Sequence, residues 1–427
     1  MARERVPLSR EAWWLLFISG LFALSVSLSN TFVNVYLWKV DKDFRAIGMY
    51  NFAVYLLVPV MFFVAGWIAK RRSSVLTLRS GVLLHAGFYA LTLWGGKWLA
   101  GYPFILGMLM GTAAGFYWCS FNDLSLRFTS SGSRDRFYGM NGVAGSIAGM
   151  AAPPVAGFLI SFEDRLGGLS GYHLVFGLSL GLFILASFVS VKLSQPPLGL
   201  KFQFSTMFQG VRDPSWRRVL IGSSIYGLRE GVFLFLIALL LYIATGSEME
   251  LGEFFLLQSA LSFGAFFLVS RFVHPHNRKV FMGIGAALMA CCAALFLFPL
   301  RTTTLVWYGA AIAVCLPLFL VPLQGTVFDT IGRLDNEDES DVRMEHIVMR
   351  EAFTNAGRVV GVGSFVIWIM FDPVGKTIPY LAFAMGLVQL VTWWVLHRIP
   401  DLQGTRKGET RVTTPVDGLS LTRRKAR

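Results

Sequence analysis

The sequence predicts an all-α membrane protein: twelve transmembrane helices in two parallel six-helix repeats, with both termini in the cytoplasm. Three observations predict it. Twelve apolar stretches are each long enough to cross a membrane, since about 20 apolar residues in a helix span a ~30 Å hydrocarbon core. Lysine and arginine gather on one side of those stretches. A short charged pattern recurs at equivalent places in the two sets of six. The 427-residue chain is 55% hydrophobic and 15% charged, with mean hydropathy +0.58. Backbone groups in hydrocarbon must satisfy one another, so only helices and closed barrels qualify. Barrel strands are shorter and alternate in polarity, which these runs do not.

The spans read in order as follows. Span 1, 13–38, follows a short basic start with Arg3, Arg5 and Arg10. It is longer than a signal-peptide core and is expected to be a retained helix. Span 2, 46–69, ends at Lys70-Arg71-Arg72. Span 3, 75–95, carries Arg79 and His85. Span 4, 102–123, holds Tyr117-Trp118 and ends at Asp123. Span 5, 138–162, is rich in glycine and proline, and span 6 is 172–192. A basic stretch beginning with Pro196-Pro197 then separates the halves. A short interfacial helix is expected there, around Phe202–Phe208. Span 7, 217–243, contains Arg229-Glu230, and span 8, 252–272, contains Gln258. Spans 9 and 10, 280–299 and 304–328, are joined by a short turn at Arg301. An acidic loop, Gly332–His346, precedes span 11, 351–371, and span 12 is 377–397. The tail has no apolar period and is expected to be disordered. The domains are therefore 1–192, a central loop 193–216, 217–397, and the tail 398–427.

The net charge of +13 suggests nucleic acid until its distribution is read. Of the 38 lysines and arginines, 28 lie in the termini and loops of one side and seven in the loops of the other. Arg79, Arg229 and Arg358 lie within spans. Positive charge stays inside, which puts both termini in the cytoplasm of a plasma-membrane protein. The expected partners are the bilayer and an unknown small-molecule or lipid substrate, with no nucleic acid and a monomeric state. The four cysteines fall within spans and read as buried packers.

Asp123-Leu-Ser-Leu-Arg127 closes span 4, and Asp329-Thr-Ile-Gly-Arg333 closes span 10. Downstream, Arg136 precedes Asn141 by the same interval that separates Arg350 from Asn355. Ile47-Gly48 and Leu251-Gly252 open spans 2 and 8. The common order of these matches argues for a duplicated six-helix unit. An even number of helices makes the copies run the same way through the membrane.

Twelve helices as six plus six, with a central cytoplasmic loop, resemble the major facilitator superfamily. That family's loop after helix 2 reads roughly Gly-x-Leu-Ala-Asp-Arg-x-Gly-Arg. Here the stretch is Gly66-Trp67-Ile68-Ala69-Lys70-Arg71-Arg72-Ser73, with lysine in the acidic position. The resemblance implies a cytoplasmic lock at this loop. The lysine implies other partners for it, with Asp123 and Arg127 as candidates. Gly149-Met-Ala-Ala-Pro153-Pro154-Val-Ala-Gly157 resembles the antiporter motif of span 5, and Gly145 extends it. Its two readings are close helix packing with a kink and a specific antiport role. The string Leu28-Ser29-Asn30-Thr31-Phe32-Val33-Asn34-Val35-Tyr36-Leu37-Trp38 is similar to a bacterial group of unassigned substrate.

Ionisable side chains are expensive in hydrocarbon and by default face a cavity or a partner. Arg229-Glu230 sits near the middle of span 7. Arg358, placed one or two turns from the cytoplasmic end of span 11, could neutralise Glu230. The expectation is that Glu230 carries a coupling proton while Arg229 or Arg358 binds an anionic substrate group. The competing reading is a fixed ion pair holding spans 7 and 11 together. Arg350 and Glu351 are expected near the headgroups. Asn30 and Asn34 share a helical face, as do Asn51 and Tyr55. With Trp118, Gln258, Gln324 and Asn355 they complete the candidate cavity, and helix 1 lines the cavity in the family. Each of these polar and aromatic residues can also be a helix-contact residue, as can His85 and Tyr117.

Asp123, Arg127, Asp329 and Arg333, with Lys70, Arg71 and Arg72, are the candidate cytoplasmic gate. Each aspartate can pair within its own helix or reach the loop after span 2 or span 8, which carries Arg278-Lys279. Their ion pairs are expected to favour an outward-facing state.

The function expected is secondary active transport by alternating access, coupled to protons, for a small solute or a hydrophobic export substrate. A flippase for a lipid-linked substrate and a non-transporting receptor or assembly partner are the alternatives. No nucleotide loop, metal-ligand cluster or nucleophile motif appears, so no enzyme activity, metal or cofactor is expected beyond the proton as coupling ion.

Overall fold

The computed structural model describes residues 7–129, 134–164, 170–194, 202–203, 205, 210–273, 276–337 and 343–399. Among them are twelve helices long and apolar enough to cross a membrane. They are α1 (Arg10–Asp41), α2 (Phe44–Arg71), α3 (Ser74–Ala100), α4 (Pro103–Arg127), α5 (Arg134–Asp164) and α6 (Ser170–Ser190) in the first half. The second half contains α7 (Pro214–Thr245), α8 (Glu248–Phe272), α9 (Arg278–Ala293), α10 (Thr302–Glu337), α11 (Arg343–Phe371) and α12 (Ile378–Leu396). The described part of the expected interfacial segment is only Phe202, Gln203 and Ser205, and the tail beyond Ile399 lies outside the described residues.

Local chemistry explains the helix starts. Ser9, Asp43, Ser73, Asp213 and Ser247 each accept a first-turn amide of the helix that follows, satisfying a donor otherwise orphaned at the N-terminus. Gly246, at φ 68°, closes α7 in the left-handed conformation. Arg79 is a cap rather than a site. Its guanidinium donates to the carbonyls of Ser190 and Leu193 at the end of α6, at 3.0 and 2.8 Å.

Within the first half α4 packs on α2 and α3, and α1 on α5 and α6. In the second, α7 packs on α11 and α12, and α10 on α8 and α9. The halves meet along α2–α11 and α5–α8, with a smaller contact between α1 and α7. The α7–α11 seam is backbone against backbone. A Cβ on Gly357 would run into the Ser224 carbonyl oxygen, and one on Gly227 into that of Thr354. Small residues at such seams let helices approach where no hydrophobic driving force separates them from lipid. Large apolar side chains such as Phe188, Phe267 and Trp307 are exposed, as a hydrocarbon solvent allows.

The α5–α8 contact shows how its prolines are tolerated. Pro153 has no N–H to give the Gly149 carbonyl, and the Ser259 hydroxyl of α8 donates to that carbonyl at 3.0 Å. Pro317 leaves the Ala313 carbonyl equally short of a donor, and Ser262, also on α8, supplies one at 3.2 Å. Gly157 lies under the Glu248 carbonyl, and Gly252 lies against Pro153 and Pro154. A Cβ on Gly145 would meet nothing within 4 Å, so the packed seam runs from Gly157 to Gly149 and stops there.

Two boundaries differ from expectation. α10 runs to Glu337 and α11 begins at Arg343, so both flanks of the acidic loop are helical. Arg358 therefore stands mid-helix, fifteen residues after Arg343, and not one or two turns from the end. The extension has a physical reason. It carries Glu345 to a buried cation, described next.

Candidate substrate and coupling site

Glu230 and Arg358 are joined. The Glu230 Oε2 accepts from the Arg358 guanidinium at 2.6 and 2.8 Å, and the Tyr226 hydroxyl donates to Oε1 at 3.1 Å. Arg358 is shared. Its Nη1 also reaches Glu351 at 3.2 Å and the Asn355 side-chain oxygen at 3.1 Å. Asn355 in turn donates to Glu351 at 2.9 Å. The guanidinium lies 5.5 Å from the Tyr55 ring centroid, so a residue of the first half touches a network built by α7 and α11. One cation thus serves two carboxylates at the interface of the halves.

Arg350 and Glu351 lie two turns into α11. They line a small cleft of roughly 30 Å³ between α4, α5, α10 and α11, with Asn122, Tyr138, Phe328 and Ile347. The Glu230–Arg358–Glu351 network therefore runs from the middle of α7 to a cleft at the end where α10 and α11 meet.

Arg229 points elsewhere, as neighbours on a helix must. It is buried against α10, donating to the Tyr308 hydroxyl at 3.1 Å with its guanidinium 4.4 Å from the Phe233 ring centroid. The other candidates divide. Asn34 accepts from Asn51 at 2.8 Å in a buried α1–α2 contact, while Asn30 is exposed. Gln258 and Gln324 are half-buried. Tyr117 is buried and stacked on Phe22, a packing role, whereas Trp118 beside it is 44% exposed. His85 is buried between Phe22 and Phe183, bonded to the Gly81 carbonyl at 2.8 Å.

The ends of the interface carry the remaining charges. Lys70 meets Glu345 of α11 at 2.6 and 2.9 Å, and both side chains are buried. The Gln203 amide of the central loop donates to the same carboxylate at 2.8 Å. Sequence reasoning noticed the lysine at an acidic position but looked to Asp123 and Arg127 for the partner. Those two pair with each other at 2.7 Å, and Ser74 donates to Asp123 as well. In the second half Asp329 reaches Arg278 at 2.5 Å, while Arg333 pairs with Asp213 at 2.8 Å and not with Asp329. Arg71 stacks on Trp67 at 4.1 Å. At the opposite end Lys39 of α1 meets Glu248 of α8 at 2.6 Å, and the Tyr172 hydroxyl supports Glu248 at 2.7 Å. That pair was missed. Its members lie more than two hundred residues apart and read singly as loop charges.

Among the described residues no group of three or more metal-ligating side chains occurs. No protein-family model matches the chain. The uncharacterized protein YqgE of Bacillus subtilis (strain 168) is 37% identical over 419 residues, 96% of each chain. Among solved structures, a D-xylose–proton symporter superposes with a TM-score of 0.69 at 14% identity, covering 92% of this chain and 99% of that one. The nucleoside transporter NupG superposes with a TM-score of 0.68 at 13% identity, covering 91% and 100%.

Proposed function

The chain belongs to one family with YqgE and has the fold of the major facilitator superfamily transporters, and from that premise we propose that it is a secondary active transporter working by alternating access. Its place is the plasma membrane. Its coupling ion is the proton, and it moves a small solute or a hydrophobic export substrate. The observation that carries this reading is Arg358 shared between Glu230 and Glu351 at the meeting of the two halves. A proton on Glu230 would cancel one of the two charges holding Arg358. The guanidinium would keep Glu351 and Asn355 as partners, so the loss is local and reversible. Glu351 lines a cleft, which offers a route for the proton. A ligand can shift the balance of two packings only by binding them differently, and this network contacts both halves.

The test uses vesicles reconstituted with the purified protein and a solute identified by thermal-shift screening at two pH values. Glu230→Gln should abolish accumulation driven by an imposed pH gradient while retaining solute exchange at equal concentrations. Undiminished gradient-driven accumulation in that variant would sink the coupling role of Glu230.

A further inference from the structure

The charges inside the bundle do not balance. Arg350 and Arg358 share the two carboxylates Glu230 and Glu351, and Arg229, turned to α10, adds a third cation. Glu230 is engaged by Arg358, and Glu351 by Arg358 and Arg350. Arg229 is the remainder. It is only 5% exposed, and among the described residues no carboxylate pairs with it. Its Nη2 donates to a neutral hydroxyl, and its Nε is buried with no acceptor at all. Arginine cannot shed its proton to escape this cost. A buried charge without a counter-charge is among the most expensive features a fold can retain, and in membrane-embedded segments it marks function.

The geometry points to a substrate that completes the site: we infer that the transported molecule is an organic monocarboxylate whose carboxylate docks on Arg229. This rests on the transporter reading above. The single excess charge calls for a single negative charge. The Nε edge of a guanidinium matches the two oxygens of a carboxylate. The Tyr308 hydroxyl, which accepts from Nη2, keeps its own hydrogen for an anion oxygen. Phe233, Phe296 and Tyr308 form an aromatic wall beside it, with ring centroids 4.5 to 6.0 Å apart. Such a wall suits an apolar body more than a hydrated inorganic ion. The Cys292 thiol, 4.0 Å from that of Cys315, also lies near this guanidinium.

The test is the unfolding temperature of the purified full-length protein with sodium benzoate and sodium hexanoate, against benzamide and hexanamide. Sodium chloride and phosphate are run at equal ionic strength. The acids should give a saturable upward shift that the amides, chloride and phosphate do not. Arg229→Gln should lose the shift, Arg229→Lys should need at least about tenfold more acid because it lacks the fork, and Cys292→Ser should keep it. Equal stabilisation by the amides, a full shift from chloride or from phosphate alone, retention in Arg229→Gln or loss in Cys292→Ser would each overturn the inference. If neither Arg229 variant folds, the acid–amide comparison on the natural protein still decides. An Arg229-dependent shift with no exchange of that acid in vesicles would sink the transporter reading and leave the docking site. Transport of a neutral solute by Arg229→Gln would do the reverse.

Discussion

Replacing Lys70 by methionine should unlatch one end of the molecule. In the described packing its ammonium sits at 2.6 and 2.9 Å from the Glu345 carboxylate, with side-chain exposures of 2% and 0%. Removing one partner of a buried pair costs roughly 3–5 kcal/mol, because the other charge stays buried and unpaired. The Gln203 amide remains on Glu345 and offsets part of this, so the lower end, about 3 kcal/mol, is the better figure. That penalty falls on the latched packing alone. At about 1.4 kcal/mol per tenfold, the unlatched population should rise roughly 100-fold. Cys119 provides the readout, since it lies buried beneath the latch with its Sγ 3.9 Å from the Met344 sulfur. In a background with Cys291, Cys292 and Cys315 replaced by alanine, its maleimide labelling rate should rise by about two orders of magnitude in Lys70→Met. Replacing both partners by methionine removes the stranded charge, so the double variant should fall back to within about tenfold of the parent. A single variant within about threefold of the parent, or a double variant as fast as the single, would refute the reasoning.

Two further outcomes follow from the seams and caps. Gly357→Ala drives a methyl into the Ser224 carbonyl and should cost about 1–3 kcal/mol or more, lowering the unfolding temperature by several degrees. Gly363→Ala on the same helix meets only the Phe52 ring at 3.6 Å, and an equal loss there would remove the steric argument. Asp213 titrates below its ordinary 3.8: burial pushes it up, but the Trp216 amide and the Arg333 guanidinium outweigh that. A depressed folded value means the stability it contributes is present above the unfolded value of about 4 and is lost as pH falls through the folded one. The destabilisation caused by Arg333→Gln should therefore be full at pH 6 and shrink below about pH 4. A gap that stays constant down to pH 3 would mean that the pair is not its cause.

The spans were legible because the hydrocarbon solvent leaves little choice: a long apolar run must be a helix with its own hydrogen bonds. The Glu230–Arg358 pair was legible for the same reason, since two opposite charges in adjacent spans have few alternatives to each other. Partners drawn from loops were not. Glu345 was one acid among several in a stretch that reads as solvated, and only the helical extension of α11 brings it to Lys70. A lysine at an acidic position was the available signal, because inverting one charge of a lock calls for inverting its partner. Asn30 and Asn34 show the limit of periodicity. Sharing a helical face does not mean sharing a depth, and one is buried where α2 crosses while the other is not.

The two rims of the interface have a common polarity. Lys39 and Lys70 both come from the first half, and Glu248 and Glu345 both from the second. During synthesis the first half is complete before either glutamate exists, so it waits in the bilayer with two cations turned toward an absent partner. Two first halves meeting by this face would leave each lysine without its glutamate, and two second halves would leave each glutamate without its lysine. The rim pairs thus favour the union of unlike halves, the first with the one that follows it on the chain.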